Sequence, residues 1–170
     1  SKVAKYLIDQ NVNFKWIIVG SGVRNLMNNS FIKKNKKFFH IVDNIKNDDE
    51  YFFPHSRLIK ICKSCDIYVN LSRIESFGIT FIEALACKLP IISFSGKGAD
   101  EIIKDKFNEF LIKDNDISEL VNKIHQIKKN KVIIKNMQNN CSDSIKKFDL
   151  DSCCNKLINI YEKENYSKIR

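Results

Sequence analysis

Glu75 and Glu83 stand with seven residues between them, on either side of the glycine in Ser72-Arg73-Ile74-Glu75-Ser76-Phe77-Gly78-Ile79-Thr80-Phe81-Ile82-Glu83-Ala84-Leu85-Ala86. A carboxylate can accept hydrogen bonds from two adjacent hydroxyls. Unbonded amides at a helix start suit a phosphate. Both features within one short stretch point to a ligand carrying a phosphate and sugar hydroxyls together, which describes a sugar nucleotide.

The stretch that positions these groups reads as strand, loop and helix. Ile67-Tyr68-Val69-Asn70-Leu71 is apolar, β-branched and aromatic, has the length of a buried strand, and should end near Ser72. A helix from Ile79 to about Lys88 would place Ile79, Phe81, Ile82, Leu85, Ala86 and Leu89 on one face for packing. Thr80, Glu83 and Cys87 would fall on the other, open to a ligand. The first amides of that helix, on Ile79, Thr80 and Phe81, lie at the positive end of its dipole. Gly78 permits a close approach and a positive φ at the turn. Glu83, a turn further in, could hold ribose hydroxyls, as an acidic residue does in dinucleotide folds. Glu75 would then face the group beyond the phosphates. A solvated helix face is the plainer account of Glu83, and two glutamates alone are weak evidence for a site.

Around this stretch, β signals at Trp16 to Val19, Phe38 to Val42, Ile67 to Leu71, Ile91 to Phe94 and Phe110 to Ile112 alternate with helical ones, including Val3 to Asp9 and Ser56 to Cys65. The alternation implies an α/β, Rossmann-like parallel sheet with helices on both faces. Ligands of such sheets bind beyond the carboxyl ends of the strands. The loops at Gly20 to Gly22, Asn44 to Asn47, Ser72 to Gly78 and Ser95 to Gly98 should therefore gather at one edge. Gly20-Ser21-Gly22 is only a G-x-G, equally suited to a tight strand-to-helix turn. The stretches Asn28 to Lys37 and Asn47 to Glu50 read as surface loops, the first with a frayed helix end as the alternative. Ile117, Leu120, Val121, Ile124 and Ile127 follow helical spacing, as do Leu150, Cys153, Cys154, Leu157, Ile158 and Tyr161; Val132 to Phe148 is helical with a thinner apolar stripe. Core packing is the expected use of these stripes.

With 170 residues, 44% of them hydrophobic, the chain can bury one sizeable core as one domain, residues 1–170. The net charge of +9 is spread over lysines in nearly every segment, and no Arg-rich cluster, RNA-binding signature or zinc-finger spacing accompanies it, so nucleic acid is not an expected partner. The basic balance suits an anionic nucleotide and also loose contact with anionic lipid. No apolar run approaches the roughly 18 residues of a membrane span, and no signal peptide is visible. Six cysteines without a disulfide framework fit a reduced, cytoplasmic setting. Cys62-Lys63-Ser64-Cys65 lacks a second ligand pair at zinc spacing, and His40, His55 and His125 are scattered, so no metal site is expected.

Glu75-Ser76-Phe77-Gly78-Ile79-Thr80-Phe81-Ile82-Glu83-Ala84-Leu85-Ala86-Cys87, with Leu89-Pro90-Ile91-Ile92, resembles the donor-binding segment of the retaining GT-B glycosyltransferases of family 4 type, the glycosyl transferases group 1 domain. Ile17-Ile18-Val19-Gly20-Ser21-Gly22, Cys65-Asp66-Ile67-Tyr68-Val69 and Gly96-Lys97-Gly98-Ala99-Asp100-Glu101-Ile102-Ile103 resemble further parts of that domain in the expected order, as do Asn108 and Phe110-Leu111-Ile112. The resemblance covers most of the region from Phe14 to about Ile127.

It implies the C-terminal, donor-binding half of a GT-B fold, acting on a nucleotide diphosphate sugar with retention of configuration. Glu83 would hold the ribose, and Glu75 would be the catalytic residue contacting the donor sugar. Ser76, Phe77, Gly78, Ile79 and Thr80 would meet sugar hydroxyls and phosphate, and Gly20, Ser21 and Gly22 would also bind the donor. The base would lie against Asn44 and Ile45. The family works without an essential metal, and no cofactor beyond the substrate is implied.

Lysine or glutamate replaces the family's usual glycines at Lys88, Lys97, Lys106 and Glu109, and Leu71 replaces a common proline. A lysine in such a turn needs negative φ or accepts strain. The family's first strand, with a pyrophosphate-binding arginine and lysine, would precede this chain, as would an acceptor-binding domain with a catalytic histidine. The segment from about Leu150 would cross to that domain, and this polypeptide alone would be an incomplete enzyme. Peripheral contact at the inner face of a membrane is a further expectation. Two other classes fit the same residues: a non-catalytic nucleotide-binding or interaction module, and a sugar-nucleotide epimerase.

Overall fold

Consecutive residues of a strand point to opposite faces, and at the centre of this protein that alternation divides two cores. In the strand β4 (Ile91–Phe94), Ile91 packs with Phe81, Leu85, Ile102 and Cys141, whereas Ile92 packs with Leu7, Phe110, Leu120 and Val121. The next strand, β5 (Glu109–Ile112), repeats the division: Phe110 and Ile112 join the second core while Leu111 lies against the first. Helices therefore cover both faces.

The computed structural model describes residues 2–43, 56–72, 76–95, 102, 107, 109–113 and 115–168. Helix α1 (Lys2–Asp9) leads into β1 (Trp16–Gly20), and β2 (Phe39–Asp43) runs parallel to it, from the pair Trp16–Phe39 to the pair Gly20–Asp43. Helix α3 (Ser56–Lys63) precedes β3 (Tyr68–Asn70), which pairs in parallel with β4, as β4 does with β5; α4 (Ile79–Ala86) connects β3 to β4. Helices α5 (Ile117–Lys129) and α6 (Lys131–Ile145), a 3-10 turn (Lys146–Phe148) and α7 (Leu150–Lys168) complete the chain. The α/β, Rossmann-like architecture expected from the alternation is present, with one difference. Among the described residues the strands form two ladders, β1–β2 and β3–β4–β5, rather than one continuous sheet.

Local chemistry fixes the helix starts. Asp116 accepts from the Glu119 amide at 2.8 Å to begin α5, and Asn130 accepts from the Val132 amide at 3.1 Å to begin α6. Ahead of α7, Asp149 takes the Ser152 amide at 2.7 Å and its hydroxyl at 2.9 Å. These bonds hold the exposed Asp149 carboxyl below the usual carboxylate range.

Two expectations change. The stretch read as a surface loop around 28–37 contains α2 (Ser30–Lys34) between 3-10 turns at Val23–Asn28 and Lys36–Phe38. Asn29 explains the helix, because its side chain accepts from the amides of Phe31 and Ile32, and Ile32 is buried. The apolar stripe of α7 is not core: Leu150, Leu157, Ile158, Ile160 and Tyr161 are all exposed. By contrast Leu120, Val121 and Ile127 of α5 enter the core as expected. The loop at 47–50, the turns at Lys97, Lys106 and Asn108, and the segment 96–101 lie outside the described residues.

Candidate functional site

The helix that carries Glu83 begins at a glycine for a reason of packing. Gly78 has φ 78° and ψ 46°, in the left-handed region. A Cβ on it would lie 2.4 Å and 2.9 Å from ring carbons of Phe81, which is itself fully buried. The expected close approach at Gly78 is therefore already taken by this protein's own phenylalanine. The Phe81 amide donates to the Gly78 carbonyl at 2.9 Å, which closes the first turn. Phe81 thus leaves the set of expected ligand-binding amides; Ile79 and Thr80 still precede any intrahelical acceptor.

The buried stripe of α4 is Phe81, Ala84 and Leu85. This corrects the expected wheel, for Ile79 and Ala86 face outward and Ala84 faces in. The helix ends in a Schellman turn: the Leu89 amide donates to the Ala84 carbonyl and the Lys88 amide to that of Leu85, each at 2.9 Å. Lys88 occupies the left-handed position of that turn at φ 57°, so the lysine standing for a glycine accepts the strain. Among the described residues the other two non-glycine positions with positive φ are Asn11 and Asn115, a type that tolerates it better.

Glu83 is half-buried on the flank of α4 rather than on an open face, and its Oε1 is shielded from solvent. Its neighbours are thiols. Cys62 of α3 and Cys87 at the end of α4 lie close enough to one another and to Glu83 for each to act on the Cys62 thiol. The Cys62 thiol is pushed up to about 11, first by burial, then by Cys87 and Cys65, and last by the Glu83 charge. Burial likewise raises Cys65. Cys62, Cys65 and Cys87 are all half-buried, and all six cysteines are free. Their closeness to Glu83 was not anticipated. The signal available was the i, i+4 relation of Glu83 and Cys87.

Of the other expected site residues, Ser76 and Thr80 are exposed, and Phe77 is exposed while meeting the Phe148 ring edge-on at 5.8 Å. That contact ties the loop before α4 to the turn after α6. Glu75, Asn44 and Ile45 lie outside the described residues, so the relation between the two glutamates is not given. Gly20, Ser21 and Gly22 sit at the carboxyl end of β1, as expected. Here a residue overlooked in the sequence takes over: Asp43, at the end of β2, accepts from the Gly22 amide at 2.8 Å, and Arg24 Nε stands 3.7 Å from its other oxygen. The Gly22 amide is thereby used within the protein. No pattern in the linear sequence sets Asp43 beside this glycine turn, which lies 21 residues earlier.

Among the described residues, a cavity of about 270 Å³ lies elsewhere, between β5, α5 and α6, with Phe110, Ile133 and Met137 beside the amides Gln126, Asn136 and Asn140. It is at the amino end of β5, away from the strand ends that carry Glu83 and Asp43. Among the described residues no cluster of three metal-ligating side chains occurs, and no helix is long and apolar enough to cross a membrane.

Parallel strands, helices on both faces, and glycine turns at the carboxyl ends of β1 and before α4 define a Rossmann-like α/β domain. Residues 1–148 match the family model described as glycosyl transferases group 1, and the chain belongs to that family, whose fold is GT-B. An uncharacterized glycosyltransferase of Methanocaldococcus jannaschii is 27% identical over 159 residues, covering 92% of this chain and 43% of that protein. The Escherichia coli UDP-Gal:alpha-D-GlcNAc-diphosphoundecaprenol alpha-1,3-galactosyltransferase is 29% identical over 148 residues, covering 85% of this chain and 36% of that one. Among solved structures, sucrose-phosphate synthase from Thermosynechococcus elongatus superposes with a TM-score of 0.78 over 98% of this chain and 42% of its own, at 17% identity, a likeness of fold. The chain thus spans less than half the length of these relatives.

Proposed function

We propose that this chain is the donor-binding domain of a retaining glycosyltransferase of family 4 type, which takes a sugar from a nucleotide diphosphate. The observation that carries this reading is the half-buried Glu83, one turn into a helix that opens at a left-handed glycine at the strand ends. A shielded carboxylate in that position is suited to accept from the two ribose hydroxyls. The amides of Ile79 and Thr80 would meet the phosphates, and Glu75 would act on the sugar. Asn44 and Ile45 would lie by the base.

In this reading, charge building on the leaving diphosphate is offset by the helix-start amides and by lysine side chains, without a metal. The acceptor would be held by polypeptide outside these 170 residues, so that the chain binds a donor but needs that part for transfer. The partial coverage of the relatives is consistent with this. The E. coli relative's name specifies a UDP-sugar and a lipid-linked acceptor. By analogy UDP is the first nucleotide to try, and the +9 charge would favour contact with an anionic membrane face. Six free thiols suit a reducing, cytoplasmic setting.

Calorimetric titration with UDP, GDP, ADP and their sugars tests the reading. One nucleotide should bind, and Glu83→Gln should weaken it by about ten- to a hundredfold, the effect of losing charge-assisted bonds worth about 1.5–3 kcal/mol. No binding by any of the panel, or equal binding by the variant, would overturn it.

A further inference from the structure

The cleft of about 270 Å³ between β5, α5 and α6 has an apolar floor and a polar rim. Phe110 and Met137 form the floor, 5% and 3% exposed, with Ile133 packed against the same core. At the rim Gln126 and Asn136 are exposed, Asn140 is half-buried, and Phe107 is 38% exposed. The rim is held from three sides. Gln126 comes from α5, and Asn136 and Asn140 lie one turn apart on α6. Phe107 precedes β5 and is tied to α6, where the Asn140 side-chain amide donates to its carbonyl at 2.7 Å. Among the described residues no lining side chain is charged. The Lys123 ammonium lies 4.7 Å from the centre of the Phe110 ring.

This composition narrows the occupant. A carboxamide both donates and accepts hydrogen bonds, so a purely apolar occupant would strip three of them of water and return nothing. A phosphate or carboxylate calls for paired cations or helix-start amides, and the lining side chains offer neither. A neutral ring with hydroxyls around its perimeter and C–H groups on its face meets both demands. Its hydroxyls reach the rim amides, and its C–H groups lie on the negative face of a phenylalanine ring. The amides stand on both walls, α5 and α6, which suits hydroxyls all round a pyranose better than the one-sided edge of a nucleobase. The volume falls just below the roughly 300–1,000 Å³ of drug-sized clefts, so it takes one ring and not several. We propose that this cleft is a second carbohydrate site, holding one neutral glycosyl unit of a glycan among Phe107, Gln126, Asn136 and Asn140. It is separate from the donor rim, because its floor belongs to the second core while α4, which carries Glu83, packs on the opposite face of the sheet. In a glycosyltransferase such a site would keep a sugar-bearing molecule on the surface between transfers. The inference goes beyond the donor reading and stands whether or not Glu83 holds a nucleotide.

The test is an NMR titration of the isotope-labelled 170-residue chain that follows the side-chain amide signals of Gln126, Asn136 and Asn140. The probes are the methyl glycosides of glucose, galactose and mannose, and N-acetylglucosamine, with uridine and adenosine in separate arms. At least one sugar should move those signals saturably, in the millimolar range of a single ring on a preformed surface. Phe107→Ala and Asn136→Ala alter exposed side chains, so both variants should fold. Each should weaken the sugar by about threefold to tenfold, the effect of losing one neutral contact. Glu83→Gln should bind the sugar at the cleft as the parent does, so this result and that of the donor titration are separable. No shift with any sugar would overturn the site, as would equal affinity in the two cleft variants. Shifts at these amides from the nucleosides alone would assign the cleft to a base, and sugar shifts confined to α4 would assign the sugar to the donor rim; either overturns the proposal.

Discussion

Gly22 and Gly78 adopt nearly the same left-handed φ, 76° and 78°, and both precede a helical turn at the rim of the sheet, yet they do opposite things with the backbone they bend. At Gly22 the amide is handed to the Asp43 carboxylate, and the space a Cβ would fill is open, with nothing within 4 Å. At Gly78 no side chain among the described residues is seen to cap the helix, while the Cβ space is filled by Phe81. One turn is sealed by the protein's own anion but tolerant of a side chain. The other, intolerant of a side chain, shows no capping anion among the described residues. Glycine at a strand end thus does not by itself mark a ligand site; what separates the two turns is where the neighbouring carboxylate sits.

The largest effect expected from this contrast is on stability. Gly78→Ala must displace a buried aromatic ring and hold alanine at positive φ, and should cost about 3 kcal/mol. Gly22→Ala meets only the backbone term and should cost about 1 kcal/mol. Urea unfolding of both variants beside the parent measures the difference directly. Equal losses would mean that the Phe81 contact is not what demands glycine in the second turn.

Removing the sealing anion comes next. Asp43→Ala leaves the Gly22 amide without its acceptor and Arg24 without its partner, and should lower stability by about 1 kcal/mol. Nucleotide affinity should hardly move, in contrast to Glu83→Gln. If Asp43→Ala instead weakened nucleotide binding as much as the glutamate variant, the first turn would belong to the ligand site and the contrast would fail.

The fold was legible because its signals are local and repeat. The apolar runs at Trp16, Ile67 and Ile91 announced strands, with ends correct to a residue or two, and the α5 stripe announced a core helix. Within 28–37 the helix, not the surface loop, is the outcome of the two readings, because a single Asn29 cap, through two side-chain bonds, overrides a lysine-rich composition that reads as loop. The α7 stripe left two readings open, core packing and a segment crossing to another domain, because periodicity says that a face is apolar but not what is present to cover it. At the site, Glu83 and Gly78 were legible from their place beside a strand-loop-helix step. Asp43 and Cys62 were not, since each acts on a residue about twenty positions away in sequence, and nothing in the linear pattern brings them together. Lys88 is intermediate. The sequence posed the question of strain there, and only the φ angle answers it.

The smallest effect concerns the thiols that flank Glu83 and have no counterpart beside Gly22. Burial, with Cys87 and Cys65 next to it, raises Cys62 from an ordinary 9.0 to about 11. A raised value in the folded state means that folding favours the protonated thiol. Its contribution is therefore fully present below pH 9.0 and is lost as pH rises through about 11. Cys62 is partly solvent-accessible, so screening keeps the effect small. Urea midpoints of the parent and Cys62→Ala, measured across that window, should converge as the thiolate forms in the parent, because the alanine variant has no proton to lose there. Lysines titrate in the same range, and taking the difference between the two proteins removes their share. Parallel midpoints across the window would show that Cys62 is in ordinary contact with water, and that the flank of Glu83 is as open as the rim at Gly22.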